Sequence, residues 1–234
     1  MTVLFGLRQR LYGAKLYLIT DARVASDDLG PFVDAAFRAG VDVIGFRDET
    51  LNRVEAIEQL ALLRTLSYQT QGLVVVQDDP GLAEAFTADL LHLDENDTPP
   101  AEAKKILHKW ALVGRGAHTE QQARAAVADE LVDFITVGPE HPTATDPALV
   151  RTMAEIAPPG AGETKPWFAT GGTSLQDIDE VLAAGARRIV VGSEIRDAAG
   201  PEDAARAIRE RIDAAWDGDP AMNNYLSRAW NHAR

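Results

Sequence analysis

The stretch KPWFATGGTSLQDIDEVLAAGARRIVVGSEI, residues 165–195, decides the fold. Two short aliphatic and β-branched runs, PWFAT (166–170) and RIVVGSE (188–194), enclose an amphipathic segment, LQDIDEVLAAG (175–185). The runs have the length and composition of strands, and the segment between them has the apolar spacing of a helix. TSLQD supplies a capping residue at the helix start, and the AG pair supplies a glycine at its stop. Strand, turn, helix and strand therefore follow one another within about thirty residues, which is a βαβ unit.

Working outward, the same alternation fills the chain. Further apolar runs lie at LYLIT (16–20), VDVIGFR (41–47), LVVVQD (73–78), LLHLD (90–94), ALVGRG (111–116) and FITVGP (134–139). Helical patterns lie between them at 28–40, 55–68 and 120–130. Eight strands alternating with helices in 234 residues predict a single-domain α/β fold of the TIM (β/α)8 barrel type over residues 1–214. An open, doubly wound flavodoxin-like sheet is the alternative, and it uses fewer strands. Residues 215–234 are expected to form a tail with one short helix that covers an end of the barrel or a partner.

Composition sets the outer limits. Hydrophobic residues make up 46% and charged residues 25%, so the chain can bury a sizeable core. It has no cysteine, which rules out disulfides and thiolate metal sites. A short apolar start followed by Arg8, Arg10 and Lys15 is the wrong order for a secretory signal, and no apolar run has the length of a membrane span. A cytoplasmic protein is expected. The net charge of −13 argues against nucleic-acid and membrane partners. It also means that an anionic substrate must be captured by local groups.

On a barrel, chemistry gathers at the C-terminal ends of the strands. The glycine turns after the last two runs, with Gly171, Gly172, Gly192 and Ser193, precede helix starts, where backbone N–H groups can receive a phosphate. Asp78 and Asp97 stand at the tips of neighbouring runs and are suited to Mg²⁺, which prefers oxygen ligands and retains waters; helix capping by Asp97 is the competing explanation. His118 suits general acid/base work near neutral pH, or a cap or surface role. GRGAHT (114–119) lacks the third glycine of a dinucleotide loop. In VGPEHPTATDP (137–147), the hydroxyls of Thr143 and Thr145 suit an oxyanion, yet Asp146 follows at once.

LYLITDAR, AGVDVIGFRDE, VVVQDD, ADLLHLDEND, VGRGAHT, VDFITVGPEHPTATDP, KPWFATGG and VLAAGARRIVVGSEI, in this order, resemble the thiamin phosphate synthase and thiazole tautomerase family over residues 15–212. The resemblance implies a TIM barrel that binds a hydroxyethylthiazole phosphate. In the synthase it joins that ring to a hydroxymethylpyrimidine diphosphate and releases pyrophosphate. It also implies roles: Asp78 and Asp97 as Mg²⁺ ligands, Arg47, Thr143 and Thr145 around the diphosphate, and Gly171, Gly172, Gly192 and Ser193 around the thiazole phosphate. In the tautomerase branch, the histidine matching His118 is the acid/base, and no metal is needed.

Five positions depart from the family pattern. Gly45 replaces a glutamine, Glu49 a lysine, Gln77 an asparagine, Gly116 a serine and Asp146 a lysine. Two phosphate-binding cations have become acids. A unit charge pair about 4 Å apart contributes about 4 kcal/mol at an effective dielectric of about 20, so reversing two charges is expected to weaken diphosphate binding strongly. Three outcomes follow: a synthase with weak or altered activity, a tautomerase, or a thiazole-phosphate-binding relative without turnover. A homo-oligomer is compatible with each.

Overall fold

The computed structural model describes residues 6–139, 146–171 and 174–232. The chain runs through α1 (Leu7–Gly13), β1 (Leu16–Thr20), α2 (Leu29–Arg38), β2 (Val43–Phe46), α3 (Arg53–Thr70), β3 (Leu73–Gln77) and α4 (Pro80–Phe86). It continues through β4 (Leu90–Leu93), α5 (Pro100–Ile106), β5 (Leu112–Ala117), α6 (Glu120–Ala128), β6 (Phe134–Val137) and α7 (Pro147–Ile156). Then come β7 (Trp167–Ala169), α8 (Leu175–Ala183), β8 (Ile189–Val191), α9 (Ser193–Arg196), α10 (Pro201–Asp217) and α11 (Tyr225–His232). The eight strands pair in parallel, in sequence order, and β8 closes on β1. This is the TIM barrel expected from the alternation, and the open-sheet alternative is excluded.

The strands are near-continuous apolar runs because each is buried on both faces of the barrel wall. Their outward side chains, such as Leu18, Ile44, Val76, Leu91, Ile135 and Val191, pack under the helices. Their inward neighbours, two residues apart along each strand, form a second core of Tyr17, Val43, Val75, Leu90, Phe134 and Phe168. Within it, Tyr17 and Phe168, and Phe134 and Phe168, meet edge-to-face. The next inward positions toward the C-terminal ends are Gly45, Gln77, His92, Gly114 and Thr136. The barrel interior thus changes from apolar to polar over one turn of the pleat.

Local signals fix the helix ends. The Ser174 hydroxyl accepts the N–H of Asp177, and the N–H of Ser174 donates to the Asp177 carboxylate in return, so α8 begins with a capping box. Gly40 and Gly185 follow the last residues of α2 and α8 at φ 103° and 114°, a conformation only glycine adopts cheaply. Helix α3 starts two residues earlier than its apolar periodicity, because Asn52 and Glu55 form another capping box.

The end of the barrel opposite the strand C-termini is sealed from both directions. Leu11 on α1 enters the inner core from below. Helix α11 lies over α1: Tyr225 and Ala229 cluster with Tyr12, Trp216 and Met222. Arg188, fully buried at the base of β8, donates to the carbonyls of Tyr12 and Ala14 and to the Tyr225 hydroxyl. The tail therefore covers the end away from the loops that follow the strands. Among the described residues, no helix is long and apolar enough to cross a membrane.

Candidate functional site

The polar residues at the C-terminal rim form one connected chain of contacts from β2 to β6. Arg47, the first residue after β2, extends one guanidinium nitrogen to Glu49 at 2.8 Å and another to Asp78 at 3.1 Å. Asp78, the first residue after β3, holds φ 57°, a left-handed conformation that Asp tolerates better than most residues and that often marks functional sites. Its N–H is held by the carbonyl of His92 on β4.

Asp78 and Asp97 lie side by side. Burial and the neighbouring charge of Asp78 raise the pKa of Asp97. Burial also works against the charge of Asp78, but the His92 side chain and the charge of Arg47 outweigh it and bring its pKa below the ordinary carboxylate range. Two carboxylates in contact repel unless a cation or a proton joins them. Asp97 does not cap α5. Residue Pro99 takes that place, and the Asp97 carboxylate instead accepts the N–H of Asp94 at 2.6 Å.

The pair fits a divalent cation by its chemistry. Among the described residues, one oxygen of Asp78, Oδ1, is buried with no hydrogen-bond donor, and His92 Nδ1, 3.7 Å away, is buried with no hydrogen-bond partner. Among the described residues no group of three or more histidines, cysteines or carboxylates is arranged around one metal position. Two carboxylates with open positions suit Mg²⁺, which keeps waters and bridges to substrate phosphates rather than sitting in an all-protein cage.

His118, just after β5, is engaged at both ring nitrogens. Nε2 faces Asp94 Oδ1 at 2.6 Å, and Nδ1 faces the carbonyl of Gly138 at 2.8 Å. Both partners are acceptors, so the doubly protonated imidazolium satisfies both contacts. The Asp94 carboxyl is pulled down to about 2, first by the hydrogen bond from His118, against the cost of burial. The cap at this point is the next residue, Thr119, which accepts the N–H of Gln122 at the start of α6.

Gly171 sits at φ 89°, and Gly192 precedes α9, a four-residue helix inserted between β8 and α10. A short extra helix after the eighth strand is a recurrent phosphate-binding device of this fold. Space beside Gly192 is open, with Ile19 O at 3.9 Å from where a Cβ would stand. Thr143, Thr145 and Gly172 lie outside the described residues. A cavity of about 510 Å³ opens on the same rim, between the loops after β1 and β2 and α9, lined by Arg23, Arg47, Glu49 and Arg196 among others.

Several residues of this rim are given no role by the sequence. His92 donates to or accepts from Thr136 Oγ1 at 2.8 Å, deep in the barrel. Gln77 meets the hydroxyl of Tyr17, and a side chain at Gly45 would overlap both. Their direction follows from the period of two, which aims each inward behind the apolar layer.

The thiamine monophosphate synthase family model matches residues 16–195. The thiamine-phosphate synthase of Streptomyces avermitilis is 40% identical over 212 residues, which cover 88% of this chain and 96% of that protein. The thiamine-phosphate synthase of Mycobacterium tuberculosis is 40% identical over 222 residues, covering 88% and 98%. Among solved structures, a thiamine phosphate pyrophosphorylase from Pyrococcus furiosus superposes with a TM-score of 0.76 at 25% identity, covering 90% of this chain and 99% of that one. Orotidine 5'-phosphate decarboxylase from Pyrococcus horikoshii, at a TM-score of 0.61 and 15% identity over 85% and 99% of the two chains, shares the fold. With the family match covering most of the barrel and its rim, the chain belongs to the thiamine monophosphate synthase family.

Proposed function

We propose that this chain couples a hydroxymethylpyrimidine diphosphate to a hydroxyethylthiazole phosphate, releasing pyrophosphate and forming thiamin phosphate. The observation that carries this reading is the Asp78–Asp97 pair, brought together at the tips of β3 and β4, with a buried Asp78 oxygen that has no donor among the described residues. Asp78 and Asp97 would hold Mg²⁺. When bound, the ion offsets the charge of the diphosphate and makes pyrophosphate a better leaving group.

Arg47 turns from Glu49 to the diphosphate, and Thr143 and Thr145 supply hydroxyls to it. Gly171, Gly172, Gly192 and Ser193 receive the thiazole phosphate through backbone N–H groups. The bond between the pyrimidine methylene and the diphosphate oxygen breaks, and its electron pair leaves with pyrophosphate. The thiazole ring nitrogen then donates its lone pair to the methylene carbon. Positioning two anionic substrates in line is the main task of these residues, since the step needs no proton from the protein.

The geometry of His118 favours this reaction over tautomerisation. A proton shuttle needs a ring nitrogen free to reach substrate, and both nitrogens of His118 face protein acceptors.

The test is thiamin phosphate formation by the purified protein from the two substrates, with Mg²⁺ and with EDTA. Metal-dependent product is expected. No product, with thiazole phosphate still bound, would move the assignment to a tautomerase or a binding relative.

A further inference from the structure

We infer that Asp94 is a positioning residue for the cation site, and that the side-chain-free Gly116 is what admits it. This rests on the assignment of Asp78 and Asp97 as ligands of a divalent cation. The argument begins at His118, which is tied to β6 through Gly138 O and to α6 through its own N–H, 2.6 Å from Gln122 Oε1. Held from both sides, its Nε2–H donates to Asp94 Oδ1 at 2.6 Å.

Asp94 relays this position to the metal-side carboxylate through a closed turn. Its Oδ1 also accepts the N–H of Glu95 at 2.8 Å, its own N–H donates to Asp97 Oδ2 at 2.6 Å, and the N–H of Asp97 returns to Asp94 O at 3.1 Å. The turn of residues 94–97 is thereby folded back so that Asp97 sits against Asp78. A flexible turn would place the two carboxylates apart, where their repulsion favours them. Groups that orient metal ligands in this way commonly contribute 10–100-fold to metal affinity.

Gly116 explains why this arrangement is possible. A Cβ at 116 would overlap Asp94 Oδ1 and crowd its Cγ at 3.3 Å. The Asp94 carboxylate occupies the volume that a side chain on β5 would fill. The two positions are therefore one device: an acid on the loop after β4 and an absent side chain on β5.

The experiment is Mn²⁺ binding, followed by electron paramagnetic resonance, on the purified full chain. Compared are wild type, Asp94→Ala, Asp94→Asn, Gly116→Ala and the Asp94→Ala/Gly116→Ala double variant, with Asp97→Ala marking loss of the site itself. Asp94→Ala and Gly116→Ala are each expected to weaken Mn²⁺ binding about 10–100-fold. The double variant should be no weaker than Asp94→Ala alone, because both changes remove the same contact. Asp94→Asn, which still accepts from His118, should recover part of the affinity.

The Mg²⁺ concentration that half-saturates thiamin phosphate formation should rise in parallel. Should Asp94→Ala fail to fold, Gly116→Ala, which retains the acid, decides the question. Wild-type affinity in Gly116→Ala and Asp94→Asn, with affinity lost in Asp97→Ala, would overturn the inference and leave the cation site standing. Absence of Mn²⁺ binding by the wild type would overturn the cation assignment and this inference with it.

Discussion

The carboxylate of Asp146 accepts the N–H of Leu149 at 3.0 Å, and Pro147 follows it at the first position of α7. The acid that stands where the resemblance implies a lysine is thus an N-cap, a role worth about 0.5–2 kcal/mol. Glu49, the other lysine-to-acid change, holds Arg47 instead, but its side chain is 79% exposed. Exposed ion pairs contribute only about 0.2–1 kcal/mol, so the charge penalty is smaller than the unscreened arithmetic suggests. Glu49→Lys is therefore expected to lower the KM for the pyrimidine diphosphate up to about fivefold with kcat little changed. Adding Asp146→Lys should improve binding further while reducing unfolding free energy by about 1 kcal/mol through loss of the cap. Steady-state kinetics and urea unfolding read the two effects separately, and an unchanged KM in both variants would refute the charge argument. Gly45 and Gln77 tell a related story. The amide missing from β2 leaves space that the longer side chain on β3 fills against Tyr17.

Helix α11 is an element whose position depends on one buried cation. Arg188 lies beside the edge-to-face pair of Trp216 and Tyr225, with each ring centroid 5.1 Å from its guanidinium carbon. Its donors reach two carbonyls of the α1–β1 segment and the Tyr225 hydroxyl. Tyr225→Phe removes one of those acceptors in a buried setting and should cost about 1–3 kcal/mol. Tyr225→Ala, which also empties the cluster, should cost about 3–5 kcal/mol. Urea unfolding followed by Trp fluorescence measures both. Equal small losses would mean that α11 contributes little to the barrel. Lys165 plays a similar part at another helix end, where its ammonium donates to the carbonyls of Ala126 and Val127 at the end of α6.

Across the whole molecule, stability in acid depends on carboxylates held in ion pairs. Burial alone would raise the pKa of Asp213, but the hydrogen bond from Lys15 and the charge of Arg209 bring it below its ordinary value. Asp42 joins the same cluster, pairing with Arg209 and accepting the N–H groups of Lys15 and Leu16. A carboxylate with a depressed folded pKa stabilises the protein above its unfolded value of about 3.9, and that contribution disappears as pH falls through the folded value. Thermal unfolding midpoints should stay nearly level from pH 7 to about 5 and fall below about pH 4. Asp213→Asn should lower the midpoint at pH 7 and flatten the acid limb, so that the two curves converge at low pH. Parallel curves would exclude Asp213 as a contributor.

The barrel itself was readable from the chain, because strands buried on both faces must be nearly continuous apolar runs and parallel strands must be separated by helices. That order, with the glycine turns after 170 and 191, placed the rim residues on one end. What lay beyond the sequence was how they pair. Asp94 and His118 are 24 residues apart, and their contact exists only because β4 and β5 are neighbours in a closed sheet. Asp146 as a cap, the empty place at Gly116 and the unpartnered oxygen of Asp78 follow from three-dimensional packing in the same way. A periodic pattern is local and survives in one dimension, whereas the charge and space around a side chain are set by residues that only the folded chain brings together.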